Sequence, residues 1–101
     1  MSIKKQVLKS KPVCKVTFAL TKKEVEAETV NLVGDFNSWD ESALELPKLK
    51  SGAFKLTMEL PVGQEYQFRY LADGKNWLND SAADGFVSNG ISNEENCVLS
   101  L

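Results

Sequence analysis

Short runs of alternating apolar and polar residues, each cut off by a turn signal, run the length of this chain and restrict it to sheet. Cys14, Val16, Phe18 and Leu20 alternate with Lys15, Thr17 and Ala19, the period of a strand with one buried face. Val30 and Leu32 alternate with Thr29 and Asn31, and that run stops at Val33-Gly34-Asp35. Phe54, Leu56, Met58 and Leu60 oppose Lys55, Thr57 and Glu59; Tyr66, Phe68 and Tyr70 oppose Glu65, Gln67 and Arg69. A last run, residues 96–101, sets Cys97, Leu99 and Leu101 on one face. Ser51-Gly52 and Pro61-Val62-Gly63 fall between runs, and Asp73-Gly74 is a two-residue hairpin signal. Pro47 limits residues 44–50 to a short or edge strand. Only residues 21–28 tolerate a helix, and they are too few to sustain one. Six or seven closely spaced strands without helices between them predict an all-β fold, an antiparallel β-sandwich.

With 101 residues the chain makes one domain. Its expected layout is a basic N-terminal arm or edge strand over residues 1–12 and a single sandwich over 13–101. Residues 1–23 carry seven Lys and no acid, a pattern that suits a lysine-protected edge. The rest is acidic, and a net charge of −2 is a poor match for nucleic acid. No apolar run is long enough for a membrane span or a signal-peptide core, so a cytoplasmic protein is expected. There is no His, which removes the commonest general base. Two cysteines make no metal site by themselves, and no Asp has the ordered spacing of a calcium loop. Neither a cofactor nor a metal is expected. Cys14 and Cys97 are expected on adjacent terminal strands, both reduced.

The loops have a composition of their own. Gly34-Asp35-Phe36-Asn37-Ser38-Trp39 puts two aromatics and an Asn in one turn. Trp77 follows the Asp73-Gly74 signal, and Arg69, the only Arg, lies on the polar side of the run before it. Asn89, Asn93 and Asn96 cluster late in the chain. A pyranose has an apolar C–H face that packs on an aromatic ring and a hydroxyl rim that takes amide or guanidinium partners. These loops offer both.

Gly34-Asp-Phe-Asn-Ser-Trp39, Phe68-Arg-Tyr-Leu-Ala-Asp-Gly74, Trp77 and Asn96 together resemble a family-48 carbohydrate-binding module. That family includes the glycogen-binding domain of the AMP-activated protein kinase β-subunit and the N-terminal domains of isoamylases and branching enzymes. The resemblance covers roughly residues 28–101. It implies an early immunoglobulin-like sandwich and non-catalytic binding of an α-glucan such as glycogen or a maltooligosaccharide. Trp39 and Trp77 match the stacking Trp residues of the family, and Asn96 its sugar-bonding Asn. Arg69 stands where the kinase members have a Lys, a change of donor geometry at constant charge. Ile91 is the nearest apolar residue to the family's exposed Leu, Ser92 takes the counted position, and Glu94 falls where a sugar-contacting Thr is expected.

Each residue also has a structural reading. Trp39 and Trp77 can be core, Arg69 a solvated strand residue paired with an acid, and Asn96 a strand-start residue serving loop backbone. Phe36 reads as a core plug and Asn37 as a turn residue. An enzyme reading lacks a singled-out pair of acids and a cleft. The rival to sugar binding is an interaction or regulatory module that kept the sandwich and lost its sugar affinity. A glycogen-metabolising enzyme or another protein supplied in trans is the protein partner this implies; no nucleic acid or membrane partner is expected.

Overall fold

Eight strands form among the described residues of the computed structural model, which are 1–42, 44–88 and 94–101. They are β1 (Ser2–Val7), β2 (Val13–Leu20), β3 (Val30–Gly34), β4 (Phe54–Pro61), β5 (Glu65–Ala72), β6 (Asn76–Leu78), β7 (Gly85–Ser88) and β8 (Glu95–Ser100). A three-stranded sheet has the order β1-β2-β4, and a five-stranded sheet the order β3-β5-β8-β7 with β6 also beside β5. Every pairing is antiparallel. The fold is the all-β antiparallel sandwich that the alternation predicts, in the immunoglobulin-like form that the family resemblance implies.

The two alternating faces meet in the core. Val16, Phe18 and Leu20 of β2 and Tyr66, Phe68 and Tyr70 of β5 are buried in one cluster. Phe18 meets Phe68 edge-on at 5.5 Å, and Phe68 meets Tyr70 edge-on at 5.7 Å, geometries that aromatic quadrupoles favour. The chain changes sheets between β4 and β5 through Gly63, whose φ of +80° suits glycine. Asp73 and Gly74, with φ of 53° and 70°, turn β5 into β6 as their dipeptide signal requires.

The number of strands exceeds the six or seven expected because β6 and β7 are short, three and four residues. Runs of that length are too brief to show a period. The basic N-terminal stretch begins as β1, paired along β2 with Ile3 opposite Phe18, and its Lys4 and Lys5 lie on a sheet edge. Around Pro47 only isolated bridges form, Asn31 with Glu45 and Lys48 with Phe54.

The expected adjacency of Cys14 and Cys97 does not hold. Cys14 is on β2 in the three-stranded sheet, Cys97 on β8 in the five-stranded one, and both are free thiols buried in the core. The cause is the pairing itself: β1 and β4 take both flanks of β2, and β5 and β7 take both flanks of β8. Cys97 instead accepts the Asp80 N–H at 3.1 Å, and burial raises its thiol pKa. The Asp80 side chain is fully buried and satisfied, with Tyr70 Oη donating to it at 2.6 Å and the Ala82 N–H at 2.8 Å.

Candidate functional site

Strand period two decides which residues share the outer face of the five-stranded sheet. With Phe68 and Tyr70 inward, Gln67, Arg69 and Leu71 of β5 turn outward. The register places Val33 beside Arg69, Trp77 beside Leu71, and Val98 beside Gln67. Asn96, two residues before Val98, belongs to the same face and lies beside Val87.

Arg69 occupies a fork on that face. The first half of β5, through Phe68, pairs with β8, and the last part, from Tyr70, pairs with β6. Arg69 falls between the two pairings, where the end of β6 and the start of β8 diverge. Its Nε donates to Asn79 Oδ1 at 2.8 Å and its Nη1 to Glu94 Oε2 at 2.8 Å. The guanidinium lies over the Trp77 ring, 5.6 Å from the centroid. Asn79 is itself anchored, donating from Nδ2 to the Glu95 carbonyl at 2.9 Å. Arg69 is therefore only 8% exposed. It is not the solvated strand residue of the structural reading, although it does pair with an acid.

Asn96 is equally covered, at 8% exposure, and donates from Nδ2 to Gln67 Oε1 at 3.1 Å. Trp39 is placed by a turn instead of a strand. A single 3-10 turn over Asp35–Asn37 follows β3, then Ser38 and Trp39 both take left-handed backbone with φ of 57° and 59°. Such conformations cost non-glycine residues about 1–3 kcal/mol each and need surrounding bonds to persist. Those bonds are present. The Trp39 N–H donates to the Gly34 carbonyl, and its Nε1 donates to Asp35 Oδ1 at 2.9 Å. The other Asp35 oxygen accepts the Gln67 N–H at 2.7 Å, tying the turn to β5. Asn37 serves the turn, accepting the Gly34 N–H and donating to the Leu32 carbonyl. Phe36 packs on Phe18, Tyr66 and Phe68 as a core plug.

Gly34 lets the turn approach β5. A Cβ there would stand 2.5 Å from the Gln67 carbonyl oxygen and 2.8 Å from the Phe68 Cβ. Neither Trp belongs to the buried core, and both are half-buried. Trp77 sits within β6, not in a loop past the hairpin.

The structure thus brings Arg69, Trp77 and Asn96 onto one face, with Trp39 joined to it through Asp35 and Gln67. Ile91 lies outside the described residues, as do Asn89 and Asn93. Asn79 and Gln67 are members of this cluster that the sequence reading did not single out. Gln67 was recoverable, since it shares the outward period of Arg69; Asn79 meets Arg69 only through the turn between β5 and β6. Among the described residues no group of acids, Cys and His is arranged to hold a metal ion, and no helix is long and apolar enough to cross a membrane.

Residues 15–83 match the family model of carbohydrate-binding module 48, the isoamylase N-terminal domain. The matched segment contains Trp39, Arg69 and Trp77 and stops before Glu94 and Asn96. No curated protein matches the chain.

Proposed function

The chain belongs to the carbohydrate-binding module 48 family, and from that premise we propose that the outer face of its five-stranded sheet binds an α-glucan without catalysis. Carbohydrate binding is the family's property; the α-linked ligand and the contacts are our reading. The observation that carries it is the fixed pair of Trp77 and Arg69, an aromatic ring held half-exposed beside a guanidinium that Asn79 and Glu94 lock in place through two of its donors.

A glucose unit packs its C–H face on the Trp77 ring side away from Arg69, and a second unit packs on Trp39. The edges of Arg69 and Asn96 bond hydroxyls between them. Each such bond returns only about 0.5–1.5 kcal/mol, because sugar hydroxyls are well solvated beforehand. Affinity for one short chain is therefore modest, and many chain ends on one particle raise it if the module is tethered.

The two rings ride on different elements, a left-handed turn after β3 and the strand β6. Rings along one strand would be tied to one plane; these are not, which suits the turning faces of a coiled α-1,4 chain. A flat β-linked ribbon meets one ring at a time. Pull-down and calorimetric titration with glycogen, amylose and a cyclic maltooligosaccharide, against cellulose and a soluble β-glucan, test this reading. Selective α-glucan binding supports it. Equal binding to both classes refutes the α-specificity, and binding to neither by folded protein transfers the face to a protein partner in trans. A cytoplasmic site of action belongs to the same proposal, since glycogen and its enzymes are found there.

A further inference from the structure

The Arg69–Glu94 ion pair is lopsided. The Arg69 side chain is 10% exposed and that of Glu94 is 57% exposed, so the cation is sunk in the sheet face and the anion stands towards solvent. Beside Trp77 the surface opens into a groove of about 490 Å³ lined in part by Glu24, Glu26 and Glu94, with Lys75 as the cation among its lining residues. Trp77 shares this groove with those carboxylates, of which Glu24 is ion-paired with the N-terminal ammonium, and the Arg69 guanidinium is not among its lining residues.

We infer, on the carbohydrate-binding reading above, that Glu94 is a specificity residue that admits uncharged glucan and turns away glucan bearing phosphate esters. The chemistry is a matter of donors. An ionised carboxylate only accepts hydrogen bonds, and a sugar hydroxyl has a proton to donate. A phosphate monoester carries about −1.5 to −2 charge at neutral pH and offers mainly acceptor oxygens. Against Glu94 it meets acceptor with acceptor and like charge with like. The cation that would compensate already has its charge paired with Glu94. Two of its donors, Nε and Nη1, are held by Asn79 and Glu94, which leaves its remaining edge for a neutral hydroxyl. A lone Lys or Arg at this place would attract the same phosphate.

The test is a calorimetric titration of the full chain with neutral maltoheptaose and with a maltooligosaccharide of similar length carrying a glucose 6-phosphate ester. Unmodified protein is expected to prefer the neutral ligand by about five-fold or more at low salt, the size of one surface like-charge contact. The preference shrinks in 1 M salt, where the screening length is about 3 Å. Glu94→Gln, which keeps size and removes charge, is expected to bring the ratio of the two affinities at low salt close to one. Equal affinities for the unmodified protein, or a ratio unchanged in Glu94→Gln, overturn the inference while leaving carbohydrate binding intact. Absence of binding to the neutral ligand overturns the carbohydrate-binding reading and this inference with it. The comparison on unmodified protein does not depend on how the variant folds.

Discussion

The guanidinium of Arg69 lies over the indole of Trp77 at 5.6 Å, and the contact exists because β5 changes partner at that residue. One strand neighbour ends at Phe68 and the next begins at Tyr70. The gap admits a long side chain and the two polar groups that hold it, Asn79 and Glu94. Removing the guanidinium strips three contacts at once. Arg69→Leu is expected to lower glucan affinity and to cost about 1–3 kcal/mol of stability, since a charged hydrogen bond is lost and Asn79 Oδ1 loses its donor. Arg69→Lys retains charge but not the forked geometry and recovers only part of either. Denaturant unfolding together with titration separates the two effects; an Arg69→Leu protein unchanged in both would show the fork to be incidental.

Trp39→Ala and Trp77→Ala are each expected to weaken glucan binding by about 0.5–1.5 kcal/mol or more while the sandwich still unfolds cooperatively. Both rings are outside the core cluster, so neither truncation opens an internal cavity. A collapse of cooperative unfolding in either variant would reassign that Trp to a structural role.

Gly34→Ala is expected to destabilise the fold by about 1–3 kcal/mol, the range for forcing atoms into filled space. Its backbone is extended and unstrained; the obstacle is the Gln67 carbonyl 2.5 Å from the new methyl. Relief requires β3 and β5 to part, which also shifts Asp35 and hence Trp39. An unfolding midpoint equal to that of the unmodified protein would contradict this packing.

Much of this was readable beforehand, and the remainder was not for physical reasons. Alternation marks β2, β4 and β5 because each is eight residues long and alternates apolar with polar or small side chains over most of its length. β6 and β7 carry no such mark at three and four residues. The period also assigned Arg69 to the outward side correctly, but outward did not mean solvated. Its cover comes from Asn79 and Glu94, residues 10 and 25 positions away, and no local pattern reports such a meeting. The cysteines failed for a related reason: which strands flank which is settled by the sheet as a whole, not by the strands that carry the thiols.

Lys5 on β1 bonds Asp84, joining one sheet edge to the residue before β7. Burial alone would raise the Asp84 pKa; the bonds from Lys5 and from the Ser100 N–H outweigh it and leave the carboxyl below its ordinary 3.8. A depressed carboxyl adds stability above the unfolded value and loses it as pH falls through the folded one. Lys5→Met is therefore expected to cost about 0.5 kcal/mol near neutral pH, as a partly exposed pair should, with the deficit fading below pH 3.8. Unfolding midpoints of both proteins across that pH range check it; a constant deficit would assign the effect to packing.

The chain has two Trp residues, so its indole N–H region holds two proton signals, one for each ring assigned to the glucan. Following those two signals while a cyclic maltooligosaccharide is added tests the central claim most directly. Both are expected to shift, saturably and with one common dissociation constant, and to move far less with a cello-oligosaccharide at the same concentration. Two indole signals that stay in place while the sugar saturates the protein, or that do not respond at any sugar concentration, would contradict the assignment of this face.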